Sequence, residues 1–177
     1  ASFNLSFYDQ GGAPVSVPLS LPQTTATKTT QSLTQPLAPG QMLQVATQAS
    51  AAALANVSGS AQLTTTGSIS GFEIFDFLPN GQEASVPLET RTPGNFVLIY
   101  DNTNGLTTGV ALANASATAA TVTANIYDDK GVFLQSDSLS LAAHAQQTIV
   151  LNAAYPKTAN KRGMVQFAVP ASGPISM

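Results

Sequence analysis

Thr121-Val122-Thr123-Ala124-Asn125-Ile126-Tyr127-Asp128-Asp129-Lys130-Gly131 alternates polar and apolar residues and then runs into a turn sequence. Val122, Ala124 and Ile126 fall on one side of an extended chain, and Thr121, Thr123 and Asn125 fall on the other. A period of two predicts a strand with one face in a core. Asp followed by Lys-Gly predicts a tight turn, because the Asp side chain bonds nearby backbone amides and Gly accepts a positive φ. The same grammar recurs along the chain. Phe3, Leu5 and Phe7 alternate with Asn4, Ser6 and Tyr8, and Val165, Phe167 and Val169 alternate with Met164, Gln166 and Ala168. Phe96-Val97-Leu98-Ile99-Tyr100 is apolar on both faces, which predicts a central strand or one covered by a neighbouring domain. Turn signals at Gly11-Gly12, Pro79-Asn80-Gly81, Pro93-Gly94, Asn104-Gly105, Lys130-Gly131 and Ser172-Gly173-Pro174 separate the strands. Short strands with turns this frequent predict an all-β sandwich architecture.

Three stretches depart from the pattern. Gln48 to Asn56 is Ala-rich, with Ser50 placed as an N-cap, and reads as a short helix. Ala153 to Asn160 contains Pro156 and supports a single helical turn. Thr24 to Gln35 is rich in Thr and Gln and reads as a long loop or an exposed edge hairpin.

The strongest organising feature is an internal repeat. Phe7-Tyr8-Asp9-Gln10-Gly11-Gly12 matches Ile126-Tyr127-Asp128-Asp129-Lys130-Gly131 at an offset of 119 residues. Leu37 to Gln41 matches Leu141 to Ala145, and Gly59-Ser60-Ala61-Gln62-Leu63 matches Gly163-Met164-Val165-Gln166-Phe167, both at 104. Ser68-Ile69-Ser70-Gly71 matches Pro174-Ile175-Ser176-Met177 at 106. The change from 119 to 104 gives the first copy about 15 extra residues, around the Thr-rich stretch. Insertions confined to loops are what related domains show. The expected organisation is two tandem sandwich domains, residues 1–92 and 93–177, joined through Arg91-Thr92-Pro93-Gly94. The first copy lacks counterparts of the strands at Phe96 to Tyr100 and Leu106 to Asn114. The second lacks the closing hairpin built from Phe72 to Phe77 and Ala84 to Leu88. Both are therefore expected to expose sheet edges and an open core slot. The chain is then a fragment of a longer array, or takes its missing strands from a neighbouring subunit, or fuses its halves into one sandwich. The start at Ala1 fits either a removed signal peptide or a piece of a longer protein.

Composition narrows the function classes. Of 177 residues, 44% are hydrophobic and only 8% are charged, against about 25% in ordinary soluble domains. The net charge of -3 argues against a nucleic-acid binder, which needs a basic stripe. No Cys is present, which excludes disulfides, thiol nucleophiles and Cys-ligated zinc, and a single His cannot form a His-rich metal site. No run approaches the ~18 apolar residues of a membrane helix. A neutral, Ser- and Thr-rich surface has weak colloidal repulsion and tends to associate, as in secreted, cell-surface and polymerising proteins.

Each candidate chemical group has a structural reading. Asp9, Asp128 and Asp129 sit where turn-forming Asp belongs. Asp101-Asn102-Thr103-Asn104-Gly105 is oxygen-rich but lacks the calcium-loop register and its downstream Glu, so a hairpin turn is expected. Glu73 and Asp76, three apart on a strand, point to opposite faces and cannot act as a facing acid–base pair. His144 stands where the first copy has Gly40, so an exposed turn is expected, and no nucleophile elbow accompanies it. Lys157, Lys161 and Arg162 form the only basic cluster, either solvated or facing an acidic patch on another domain or subunit. Tyr8, Tyr100, Tyr127 and Tyr155 are the candidates for a sugar-stacking platform. Three Asn-x-Ser sequons, at Asn4, Asn56 and Asn114, carry little weight in so Ser-rich a chain. No catalytic, cofactor-binding or metal residue is assigned.

The succession Tyr-Asp-x-x-Gly, Leu-x-Pro-Gly, Gly-x-Ala/Val-Gln-Leu/Phe and Ser-Ile-Ser-Gly-Phe, with Thr108-Gly109-Val110-Ala111-Leu112-Ala113-Asn114 ahead of the second Tyr-Asp turn, resembles the Ig-like β-sandwich repeat domains of large secreted or surface-displayed bacterial proteins. The resemblance covers most of the chain outside the Thr-rich insertion. It implies an extracellular or cell-surface structural or adhesive module without catalytic residues or cofactors. The expected partners are copies of itself or adjacent domains, met through sheet edges, in a tandem array or filament. The alternative from another class is a carbohydrate-binding module of a secreted protein, with glycans as its partners.

Overall fold

The computed structural model describes residues 1–48, 57–89, 93–170 and 174–177. The expected helix at Gln48 to Asn56, with Ser50 as its cap and the sequon Asn56, falls almost wholly outside the described residues, as do Arg91-Thr92 of the linker and the turn residues Ser172 and Gly173. The chain is all-β, with several small antiparallel sheets, none of which closes into a barrel among the described residues.

In the first half, β1 (Ser2–Asp9) is followed by β2 (Val17–Leu21), β3 (Ala26–Thr30), β4 (Ser32–Pro36), β5 (Ala46–Thr47) and β6 (Gly59–Thr65). β1 lies between β4 and β6, and β2 lies between β3 and β5. The predicted alternation holds in β1, where Phe3 and Phe7 are buried and Asn4, Ser6 and Tyr8 are less so. Phe7, Val17, Leu19 and Leu33 form a small core, flanked by Leu5, Val15, Leu21 and Val45. A hairpin of β7 (Phe72–Phe77) and β8 (Gln82–Pro87) then stands as its own two-stranded sheet.

The second half comprises β9 (Asn95–Asp101), β10 (Gly109–Asn114), β11 (Ala120–Asp128), β12 (Phe133–Leu141), β13 (Gln146–Val150), a one-turn helix α1 (Leu151–Ala154), β14 (Arg162–Ala168) and β15 (Ile175–Ser176). Pro156–Thr158 adds a 3-10 turn, with Pro where its fixed φ suits a helix start. One sheet has the order β12-β11-β14-β9 and the other β13-β10-β15. Both contribute to a single core in which Leu112, Val122, Ala124, Ile126, Val165 and Phe167 are fully buried. At roughly 25 cal/mol per Å² of apolar surface removed from water, this core dominates the stability of the half that contains it.

β9 differs from the sequence expectation. It is an edge strand. Phe96 and Tyr100 point into the core, whereas Val97 and Ile99 are 57% and 73% exposed. Its two apolar faces reflect a core on one side and an uncovered outward face on the other, not a central position.

The sequence repeat coincides with strand register. Tyr8 pairs Ser60 and Asp9 pairs Gly59, as Tyr127 pairs Met164 and Asp128 pairs Gly163. The turns also match. Gly12 and Gly131 both take positive φ, and each donates its N–H to the Asp carbonyl three residues earlier at 3.0 Å. Gly40 and His144 are both left-handed, at φ +74 and +59. The extra residues of the first copy are the β2–β3 hairpin, and their entry point is informative. Val15 donates its N–H to the Phe7 carbonyl and Phe7 donates its own to Gln31, so the hairpin leaves and rejoins the sheet at one residue. In the second half the register of β11 against β12 shifts at the equivalent residue, between Ile126 and Tyr127. A bulge already carries an unpaired residue, so an insertion there disturbs no ladder. The inserted β2 pairs Ala46 and Thr47 of β5, whose equivalents Val150 and Leu151 lie against Gly109 and Thr108. The first half therefore fills the slot beside β5 from within. Its opening at the outer edge of β6 remains, because among the described residues β6 has a neighbour on one side only.

Candidate functional site

The carboxylates expected in turns are there. Asp9 Oδ1 accepts the Ala13 N–H at 2.9 Å, and Asp128 Oδ1 accepts those of Lys130 and Val132 at 3.0 and 2.9 Å. The oxygen-rich run after β9 is also occupied internally. Asp101 Oδ1 accepts the Thr103 N–H and hydroxyl at 2.9 and 2.6 Å, and Asp101 Oδ2 accepts Arg162 Nε at 2.8 Å. Buried Asn102 donates from Nδ2 to Thr158 Oγ1 and accepts the Thr108 N–H. Among the described residues no group of three or more acidic, His or Cys side chains is gathered as a metal site would require. Glu73 and Asp76 lie in β7 opposite Val86 and Glu83, on different faces of the hairpin.

The Thr103 donors and then Arg162 hold the Asp101 carboxyl down at about 2. A depressed folded-state value means that the ionised form favours the fold. Its contribution is present above the unfolded value, about 4, and is lost as pH falls towards 2. Asp101→Asn is therefore expected to flatten the acid limb of the stability curve between those values and to leave the curve's shape at neutral pH unchanged. Fluorescence-monitored unfolding across pH would measure this, and an unchanged acid limb would rule it out.

Arg162 is engaged by Asp101, and Lys157 donates to the Leu134 carbonyl at 3.0 Å. Of the four tyrosines considered as a sugar platform, Tyr100 and Tyr155 are buried. Tyr127 meets Phe133 edge to face at 5.7 Å. Tyr8 has one ring face covered by His144, with centroids 4.4 Å apart and planes within 8°. Tyr8 and Tyr127 are thus half-buried, each with one aromatic neighbour.

That last contact was not foreseen from sequence. His144 occupies the expected turn, but it is half-buried against the other half of the chain. Its Nδ1 lies 3.0 Å from Gln62 Oε1, an atom that only accepts, so the tautomer protonated at Nδ1 satisfies the pair. Gln62 Nε2 in turn donates to the Asn114 carbonyl at 3.0 Å, and the Gln146 N–H donates to Gln10 at 3.2 Å. Gly12 passes so close to the backbone of Ala143 and His144 that no side chain fits there. Tyr8, Gln62 and His144 thus form a polar and aromatic joint between the halves. Asn114, one of the sequons, is fully buried with its amide donating to backbone carbonyls, so the folded chain offers it to no glycosylating enzyme.

What remains exposed is apolar sheet. Phe72, Ile74, Phe75 and Val86 of the β7–β8 hairpin all face solvent, with Phe72 at 69%. Asp76 lies directly opposite Glu83, a like-charge pairing that destabilises an isolated hairpin. Val97 and Ile99 of β9 add a second apolar surface. Among the described residues nothing covers either. No protein-family model, curated protein or solved structure matches the chain.

Proposed function

We propose that the chain is a non-catalytic structural or adhesive module, acting at the cell surface or outside the cell, built from two Ig-like β-sandwich repeats. It associates with copies of itself or with adjacent domains through sheet edges. The observation that carries this reading is the β7–β8 hairpin, an exposed two-stranded sheet bearing Phe72, Ile74, Phe75 and Val86. An isolated hairpin is marginal in water, so one this apolar gains most by being covered. Its carboxylates, Glu73, Asp76 and Glu83, suit a basic counterpart, and Lys157 with Lys161 offers one on another copy. Low overall charge leaves little repulsion against such contacts.

Sedimentation velocity over a concentration series tests the proposal. The expected result is assembly that grows with concentration and weakens with salt. Phe72→Ser with Ile74→Ser should weaken it about a hundredfold, because roughly 3 kcal/mol of apolar burial is removed. A chain that stays monomeric to about 1 mM would overturn self-association.

A further inference from the structure

We infer that the outer edge of β6 is an acceptor for an extended strand of the β9 type, apolar at three alternate positions and ending in Tyr, supplied by a further repeat of this kind. The inference rests on the reading of the chain as a module joined through sheet edges, and it names the partner of one edge.

The second half shows what the edge takes. There β14 is paired on both sides, by β11 and by β9, with Phe96 opposite Phe167, Leu98 opposite Val165 and Tyr100 opposite Gly163. β6 corresponds to β14 residue for residue and holds against β1 the register that β14 holds against β11, yet among the described residues its other edge is unpaired. The consequence appears in burial. Val165 and Phe167 are fully buried, while their equivalents Ala61 and Leu63 are exposed and half-buried. The inward side of β6 is therefore apolar at the right positions and lacks the cover its counterpart has.

The remaining details of the β9 contact also have their places. In the second half the Tyr100 ring runs over Gly163, and its hydroxyl donates to the Tyr127 carbonyl at 3.1 Å. In the first half Gly59 and the Tyr8 carbonyl stand in the same relation to each other, Gly59 being pressed against Tyr8 as Gly163 is against Tyr127. An incoming strand with Tyr opposite Gly59 meets a side-chain-free surface and an acceptor. Its two preceding apolar positions fall opposite Ala61 and Leu63. β9 itself is committed to its own sheet, with Phe96 and Tyr100 in the core. A copy of this chain cannot lend it without opening that core, so the donor is a strand of the same type from another repeat that does not hold it in a sheet of its own.

The test uses the full chain and a synthetic peptide of the β9 sequence, Asn-Phe-Val-Leu-Ile-Tyr-Asp, carrying a solubilising tail. Amide hydrogen exchange is read with and without peptide. The expected result is slowed exchange in Gly59–Thr65. Tyr→Phe in the peptide should weaken binding about fivefold, the worth of one hydrogen bond of ~1 kcal/mol. A peptide with its two faces interchanged should fail to bind, and so should the wild-type peptide on Ala61→Lys, a substitution at an exposed position. Protection at β3, β7 or β9 instead of β6, equal binding of the face-interchanged peptide, or no protection at about 1 mM peptide would overturn the inference. Failure here with concentration-dependent assembly intact sinks the acceptor edge alone. Loss of assembly as well sinks the wider reading.

Discussion

Asn114→Ala is expected to destabilise the chain by about 3 kcal/mol, with a matching fall in the urea midpoint and an unchanged slope. The side chain is fully buried at the end of β10. Its Nδ2 donates to the carbonyls of Thr118 and Ala142 at 2.8 and 2.9 Å, and its Oδ1 accepts the Ser116 N–H at 2.9 Å. One amide thus closes the turn before β11 and ties it to the end of β12. Alanine removes all of these bonds, and a longer one to the Leu141 carbonyl at 3.4 Å, and has no polar atom to replace them. A buried group left unpaired costs about 1–3 kcal/mol, more than the bond contributes in net terms when made. The loss should reach the joint between the halves, because the Asn114 carbonyl is where Gln62 Nε2 is anchored. Asn114→Asp should be no better at neutral pH, since it keeps the acceptor but replaces the donors with a buried charge. A cost below about 1 kcal/mol would mean that water enters and satisfies the abandoned groups.

The extent to which sequence foretold this arrangement follows from the range of each interaction. Alternation in β1, β11 and β14 is a local property with a period of two, and the burial of Phe7, Ile126 and Phe167 follows it. The turns at Gly12 and Gly131 were legible because positive φ selects Gly. The change of repeat offset counts the extra residues, but Thr24 to Gln35, where they are expected as a loop or edge hairpin, holds β3 and also most of β4, which pairs with β1 and buries Leu33. The offset could not show that the inserted hairpin would pack Val17 and Leu19 beneath β1 and stand beside β5. For β9 two apolar faces fit either a central strand or one covered by a neighbouring domain; its edge position removes the first, and among the described residues nothing covers Val97 and Ile99. His144 is the sharpest case. Its repeat equivalent Gly40 implies an exposed turn; the turn is present, but the ring is half-buried and stacked on Tyr8, a residue far away in the chain. A local pattern carries no information about such a contact. Nor did a sequon at Asn114 distinguish a buried amide from a surface one.

Gly163→Val should have the other large effect and should disable the second half while sparing the first. Gly163 is the second residue of β14, between β11 and β9. A Cβ there would collide with the Tyr127 carbonyl oxygen and stand 2.8 Å from both the Asp128 Cα and the Tyr100 hydroxyl. Two of the three obstacles are backbone, which cannot rotate aside as a side chain can. Relief requires β14 to move away from β11, and that separation opens the core at Ile126 and Val165, both fully buried. The same movement withdraws Tyr127 from the Tyr100 hydroxyl, leaving a buried donor without its acceptor. A loss of about 4 kcal/mol or more is expected, the range reached when overpacking and an unsatisfied polar group act together. Gly59→Val makes the equivalent collision with Tyr8, but β6 is an edge strand and can yield outward with only one neighbour to lose. The core it disturbs has four buried residues, against sixteen in the second half, among the described residues. The expected order of damage is therefore Gly163→Val well above Gly59→Val, although the two glycines are repeat equivalents in nearly the same backbone setting. Hydrogen exchange resolved by residue would read each half separately. Equal losses in the two variants would mean that β6 is as constrained as β14, and therefore that its outer edge is covered in solution.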